Sequence, residues 1–484
     1  MLATTTSTTI PLLTSKSLSF STSVFLFLLL CFLFGDAMAA TARRSKSSRR
    51  RRGPALVLPA ATLSGETEAE RLFECAQKIE TALDARYFNG SRFAVMVKTQ
   101  DGSTVYERNQ NLLMQPASNL KLLTSAIALE LLGPDFRHRT EFFAQGQIIN
   151  GVLYGNLIVS GSTDPLVSGY FDSEMNHVVA AWADSLKALG ISQIEGEVVL
   201  DNSYYTGTAA TEDEPVRFST VASFGRADAK QLAKVSRVRV IRTRKGKKRV
   251  VRRGFRRHSR RKMVSIEPNQ YGINIFIEEL QRRAVLRPDD VQPQAYPLSA
   301  DRTNWKHVYT YYSRPLTDLL KVTNKLSDNF YADQLLRTLG GELRGEASLE
   351  KGLEIERQFL REKLDAKSAE YRLADGSGLS HENAITPALL VRLMNYMRGS
   401  IYFETYYESL SIPTVDGTLE GRIYHDLATN IRAKTGSITG ITSLSGYLCS
   451  RSGKNIFFSI ICNGRKHKGL VKLEDQLCKL MLEI

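Results

Sequence analysis

Pro116-Ala117-Ser118-Asn119-Leu120-Lys121-Leu122-Leu123-Thr124-Ser125-Ala126-Ile127-Ala128-Leu129-Glu130 is the stretch on which the reading of this chain turns. The apolar spacing predicts a helix that starts near Ser118 and is stopped by Gly133-Pro134. Residues i and i+3 share a helix face, so Lys121 can approach the Ser118 hydroxyl. A serine hydroxyl is a poor nucleophile until a base removes its proton. A lysine amine can be that base if burial and neighbouring cations lower its pKa. The helix N-terminus gathers backbone N–H groups and positive potential, which suits an oxyanion. Taken alone, the pattern is also that of a serine N-cap followed by a solvated lysine. Ser259-x-x-Lys262 and Ser348-x-x-Lys351 repeat it. The first lies in a cationic block and the second opens a charged stretch with little apolar support.

Two further motifs follow in order. Ser327-Asp328-Asn329 ends the run Leu319-Leu320-Lys321-Val322-Thr323-Asn324-Lys325-Leu326. A second hydroxyl near the nucleophile can relay a proton to a leaving amine, and Asn329 can bond a substrate amide and the lysine together. Lys434-Thr435-Gly436 precedes strand-forming sequence. A strand edge can pair with an extended peptide. Lys434 and Thr435 offer a charge and a hydroxyl to an anion such as a terminal carboxylate. Gly436 leaves no side chain where a substrate backbone would approach. Each motif alone also fits a polar loop or turn. The three together, in this order, form a serine acyl-transfer signature.

The surrounding pattern predicts a helix over 68–83, a strand over 92–97, a turn at Asp101-Gly102 and a return strand from Val105. Strands are expected over 152–159 and 197–200, with a helix over 178–189 between them. The chain should be helix-rich from 316 to about 398. Strands over 431–435, 444–449 and 456–462 lead to an amphipathic helix over 471–482.

At 484 residues and 43% hydrophobic, the chain can bury a large core and should hold several domains. Residues 1–39 read as a cleaved export signal. The apolar run Val24–Phe34 is too short for a membrane helix, and Ala37-Met38-Ala39 has a small-x-small cleavage pattern. Residues 40–66 read as a basic linker, 67–140 and 301–484 as two parts of one catalytic domain, and 141–300 as inserted material. Export permits disulfides among Cys75, Cys449, Cys462 and Cys478, although their apolar settings favour buried thiols. The net charge of +15 is concentrated, since residues 234–262 hold sixteen Lys or Arg and no acid. That block is either a solvated loop or an adhesive for an anionic wall polymer or lipid surface. Nucleic acid is not expected for an exported chain.

With these motifs in place, the chain resembles the class C low-molecular-mass penicillin-binding proteins of the D-alanyl-D-alanine carboxypeptidase/endopeptidase family. Further segments carry the likeness: Leu132-Gly133-Pro134-Asp135-Phe136-Arg137, Gly155-Asn156-Leu157, Gly161-Ser162-Thr163-Asp164-Pro165-Leu166, Pro315-Leu316, Ala374-Asp375-Gly376-Ser377-Gly378-Leu379-Ser380 and Asp416-Gly417-Thr418-Leu419. The resemblance implies an α/β (α+β) fold: a serine β-lactamase/transpeptidase-like catalytic domain, its antiparallel sheet flanked by helices, with inserted mostly-β domains. It implies Ser118 as nucleophile, Lys121 as base, and Ser327 and Asn329 as relay and anchor. Lys434 and Thr435 would meet a terminal carboxylate, with Asp328, Gly436 and Ser437 lining the substrate. The backbone N–H groups of Ser118 and Ser437 would form the oxyanion hole. No metal or organic cofactor is implied. Expected partners are peptidoglycan stem peptides and, as inhibitors, β-lactams, at the periplasmic or extracytoplasmic face. A β-lactamase and a non-catalytic wall-binding protein are the alternatives. One departure from the family pattern is the lack of Trp after Asp201-Asn202-Ser203, where only Glu212, Asp213 and Glu214 are acidic.

Overall fold

The computed structural model describes residues 67–161, 164, 176–201, 240–242, 248–250, 276–285, 302–464 and 467–484. The expected export signal and basic linker lie outside them, as does most of the cationic block. Within that block, β7 (Val240–Arg242) and β8 (Lys248–Val250) pair antiparallel.

The first sheet is made from both ends of the described chain. Strands β1 (Arg92–Thr99) and β2 (Thr104–Arg108) form a hairpin, and β12 (Ile431–Ile438), β13 (Ile441–Cys449) and β14 (Asn455–Asn463) form a meander. The order is β12-β13-β14-β1-β2, antiparallel throughout, with Arg92 opposite Asn463. A strand buried on both faces reads as continuous apolar sequence, and β1 and β14 do so. Alternation then sends residues to two cores. Phe93, Val95 and Val97 pack with Ile456, Phe458 and Ile460 against helices α1 (Glu68–Leu83) and α9 (His467–Leu482). Ala94, Met96, Phe457 and Ile461 face the larger core on the other side. A capping box at Thr67 and Glu70 sets where α1 begins. The four cysteines among the described residues are free, three of them buried, and burial pushes the Cys75 thiol up to about 12.

The larger core is helical. It holds α2 (Lys121–Leu132), α4 (Leu316–Lys325), α5 (Asn329–Arg344), α6 (Leu349–Leu364) and α7 (Pro387–Arg398). Helix α2 is mostly apolar and is buried from Lys121 to Leu129, its polar Lys121, Thr124 and Ser125 included.

A second sheet lies between α2 and α4 in the chain. It consists of β3 (Arg139–Ile149), β4 (Val152–Gly161), β5 (Gln193–Glu195), β6 (Val198–Asp201) and β9 (Lys306–Tyr312). The order is β5-β4-β3-β9, and β6 also pairs with β4. Helix α3 (Asn176–Ala188) and helical residues 276–282 cover it through Trp182 and Phe276, which meet Phe142 edge-on. His138 hands the chain back beside Ser313, whose N–H donates to His138 O at 2.9 Å.

Helices α5 and α6 cross closely at Gly352, where a Cβ would lie 2.1 Å from Leu336 O. An ordinary helical Gly→Ala change gains about 1 kcal/mol. Here overpacking, at about 1–3 kcal/mol, opposes that gain. Gly352→Ala should therefore lower the thermal unfolding midpoint. An unchanged or raised midpoint would show that the two helices can separate without cost.

Candidate active site

Ser118, Lys121 and Asn329 meet where α2 and α5 join, and Lys434 on β12 lies near Lys121. Ser118 lies in a single 3₁₀ turn, Ala117–Leu120, that feeds directly into α2. The turn is held from below by the sheet. Ser443 Oγ donates to Pro116 O at 2.5 Å, and Asn119 Nδ2 donates to Ser445 Oγ at 2.8 Å. Ser445 Oγ continues to Ser459 Oγ on the next strand at 2.9 Å. Gly436 packs against the same turn. A Cβ there would lie 2.6 Å from Pro116 O and 3.1 Å from Ser118 N. The expected reason for this glycine was a substrate backbone; the neighbours that demand it are the protein's own turn and Ser443 Oγ, which a Cβ would meet at 2.2 Å.

Lys121 is fully buried. Its Nζ donates to Ser118 Oγ at 3.0 Å, Asn329 Oδ1 at 2.7 Å and Ser377 O at 2.6 Å. Burial lowers its pKa to about 8, and the carboxylates of Asp333, Asp375 and Asp328 limit the fall. Asp328 is the N-cap of α5, accepting from Tyr331 N at 3.0 Å, which aims Asn329 from the first turn. Ser327, just before it, has φ +61.

Loop 374–383 presents the third acceptor to Lys121. Asp375 organises it, accepting from Gly378 N at 2.6 Å, Ser380 N at 2.7 Å and Asn383 Nδ2 at 2.8 Å. Asp333 Oδ1 accepts from Gly376 N at 3.1 Å.

Lys434 is also fully enclosed and donates to Thr435 O at 2.9 Å. Burial, then the nearby Lys121, holds its pKa well below the lysine range. Thr435 Oγ1 donates to Thr418 Oγ1 at 2.7 Å. The loop carrying Thr418 is tied to β12 by paired backbone bonds between Ser411 and Ala433, at 3.2 and 3.1 Å. Lys325 ties it to the Ser327 turn by meeting Asp416 at 2.5 Å. Ser437 is exposed, and its Oγ lies 2.7 Å from His467 Nε2.

The profile of the D-Ala-D-Ala carboxypeptidase 3 (S13) family matches residues 75–222 and 217–483. The chain belongs to this family. It is accordingly a serine peptidase, a hydrolase of the D-Ala-D-Ala carboxypeptidase class. A D-alanyl-D-alanine carboxypeptidase of Actinomadura sp. (strain R39) is 26% identical over 504 residues, covering 89% of this chain and 88% of its own. D-alanyl-D-alanine carboxypeptidase DacB of Haemophilus influenzae is 26% identical over 430 residues, covering 78% and 86%. The crystal structure of penicillin binding protein 4 from Haemophilus influenzae superposes with a TM-score of 0.63 at 23% identity, covering 84% of this chain and 99% of that one. That likeness shows the fold, an α/β (α+β) penicillin-binding-protein type with a helix-flanked antiparallel sheet. Among the family segments, Ala374–Ser380 and Asp416–Leu419 had no assigned role in the sequence. The structure gives the first the Ser377 carbonyl and the second the Thr418 hydroxyl. Asp333 was missed altogether, as a lone acid inside a helix.

Gly436→Ala should shift the Ser118 turn off β12. Misplacement by an ångström can cost about 10²-fold. Reaction with a fluorescent penicillin should slow by at least about tenfold while circular dichroism is retained. A wild-type rate would mean that the turn tolerates the displacement.

Proposed function

We propose that Ser118 attacks the carbonyl of the terminal D-Ala-D-Ala bond of a peptidoglycan stem peptide, or of the D-alanyl cross-link. The carrying observation is the set of partners around Lys121 Nζ. Two of the three, Asn329 Oδ1 and Ser377 O, can only accept. A neutral amine with two N–H bonds spends them there, and its lone pair is left facing Ser118 Oγ. Lys121 then takes the hydroxyl proton as the Oγ–C bond forms. The C–N bond breaks, the leaving amine takes up a proton by way of Ser327, and Ser118 is left as an ester. Water cleaves that ester, releasing the shortened peptide and restoring the serine.

Asn329 serves both Lys121 and the substrate amide. Asp328 lines the substrate by holding the turn at the start of α5. Lys434 is enclosed, so it acts on the terminal carboxylate through Thr435, to whose carbonyl it donates. Gly436 and Ser437 continue the β12 edge along which an extended peptide can pair. The backbone N–H groups of Ser118 and Ser437 receive the oxyanion. Penicillins would acylate the same hydroxyl. The intact lysine–serine contact supports catalysis over a non-catalytic wall binder. The long insert between Ser118 and Ser327 favours a peptidase over a β-lactamase.

The division of the chain belongs to the same proposal. A catalytic domain in two parts is interrupted by the second sheet, whose last strand, β9, reaches Tyr312. So does export to the extracytoplasmic face. Among the described residues no helix is long and apolar enough to cross a membrane. The cationic block as an adhesive for an anionic wall polymer or lipid surface is likewise proposed.

Incubation with a fluorescent penicillin should give a long-lived adduct that Ser118→Ala abolishes. Rapid turnover of the penicillin would instead indicate a β-lactamase, and absence of labelling an inert binder. Only neutral Lys121 is competent, and its pKa is lowered to about 8. From pH 6 to 7 the acylation rate should therefore climb about tenfold. A rate independent of pH in that window would remove Lys121 as the base.

A further inference from the structure

Glu356 lies on α6, beneath the site, and has no exposed surface. Its Oε1 is 2.7 Å from Thr124 Oγ1, and its Oε2 has no hydrogen-bond partner. The charged groups that face it are Asp375, Arg357 and Asp333, two of them acids. Arg357 is directed to Leu373 O at 3.1 Å. Arg392, on the neighbouring α7, is engaged by Glu370. A buried carboxylate with no cation in contact and acids nearby takes up a proton.

The proton count then decides how Thr124 is used. Thr124 Oγ1 is also 2.9 Å from Gly376 O, and it has one hydrogen to give. If Glu356 is an acid, its O–H donates to Thr124, and Thr124 is free to donate to Gly376 O. If Glu356 is a carboxylate, it draws the Thr124 hydrogen to itself and Gly376 O loses its donor. The next carbonyl along, Ser377 O, accepts from Lys121 Nζ at 2.6 Å.

We propose that Glu356 is a positioning residue that works as a neutral carboxylic acid, donating through Thr124 to Gly376 O and so fixing the carbonyl that orients the Lys121 lone pair. The inference rests on the reading of Ser118 and Lys121 given above and adds a residue that touches neither. Burial holds the Glu356 carboxyl up at about 8, which leaves it protonated at neutral pH. Above that range its ionisation reverses Thr124 and loosens the 376–377 track just as Lys121 becomes fully neutral.

The test measures the second-order rate of acylation of the full chain by a fluorescent penicillin from pH 6 to 10. It compares wild type, Glu356→Gln, which keeps a neutral donor, and Glu356→Leu, which has none. The wild-type rate should rise towards pH 8 and fall beyond it, whereas the Gln variant should rise and stay level. The Leu variant should be slower at pH 7 by about tenfold or more. Superimposable wild-type and Gln profiles, or a Leu variant as fast as wild type, would overturn the proposal. Should the Leu variant not fold, the wild-type and Gln profiles alone decide.

Thermal unfolding gives a second readout. A carboxyl raised in the folded state keeps a proton that the unfolded chain releases above the ordinary carboxylate range. Its contribution to stability is complete below that range and is lost as pH rises to about 8. The midpoint of the Gln variant should therefore gain on wild type between pH 5 and 8, and a constant gap would mean that Glu356 is ionised throughout. No labelling of the wild type at any pH would overturn the Ser118 reading, and this inference with it.

Discussion

A lysine with no exposed surface is the constraint around which this protein is arranged. Moving an isolated ammonium out of water is so costly that the group must be surrounded by acceptors or give up its proton. Lys121 does some of each. Three oxygens surround Nζ, and burial brings its pKa to about 8. Three carboxylates stop it falling further. Removing those acids would make the amine easier to deprotonate and a weaker base. Adding a closer one would lock it as an ammonium. The balance brings the amine within reach of the free base near neutral pH.

Holding that balance requires backbone that other parts of the chain must stabilise. Ala117, immediately before the nucleophile, and Ser327, the first residue of the second motif, both have positive φ, at +48 and +61. Each such residue costs about 1–3 kcal/mol. The compensation is visible nearby. Asn119, Ser445 and Ser459 form a buried hydroxyl–amide chain through two strands, and Pro116 O is capped by Ser443. The small, polar character of β13 at Ser443 and Ser445, unusual for a strand with both faces buried, follows from this task.

Much of this was legible in the sequence because it depends on local pattern. The strands at 92–99 and 455–463 alternate between two apolar cores, so their type follows from side-chain pattern, whereas their ends and the 3₁₀ turn that precedes α2 lie a few residues from the expected limits. The three motifs carried the site because serine, lysine and glycine each have a distinct chemical use there. Glu356 and Asp333 were not legible. A single acid in an amphipathic helix looks solvated until the tertiary fold covers it. Asp375 was within reach, since an aspartate followed by small residues is an Asx-turn former, but its direction towards the lysine is a property of packing. Gly436 was identified correctly as a close approach, and its partner was not, because the turn that meets it lies 318–320 positions earlier in the chain.

The pairing of β1 with β14 has a consequence for how the molecule is made. The strand nearest the start of the described chain completes its sheet only by joining the strand nearest the end, with Arg92 against Asn463. Contacts this distant are slow to form, and apolar strand edges left waiting are prone to aggregate. While ribosomes are still at work, β1 and β2 have α1 on one face but nothing along the edge that β14 will take. A chaperone that holds the early hairpin until the final meander is released would protect the one interval in which this enzyme is most easily lost.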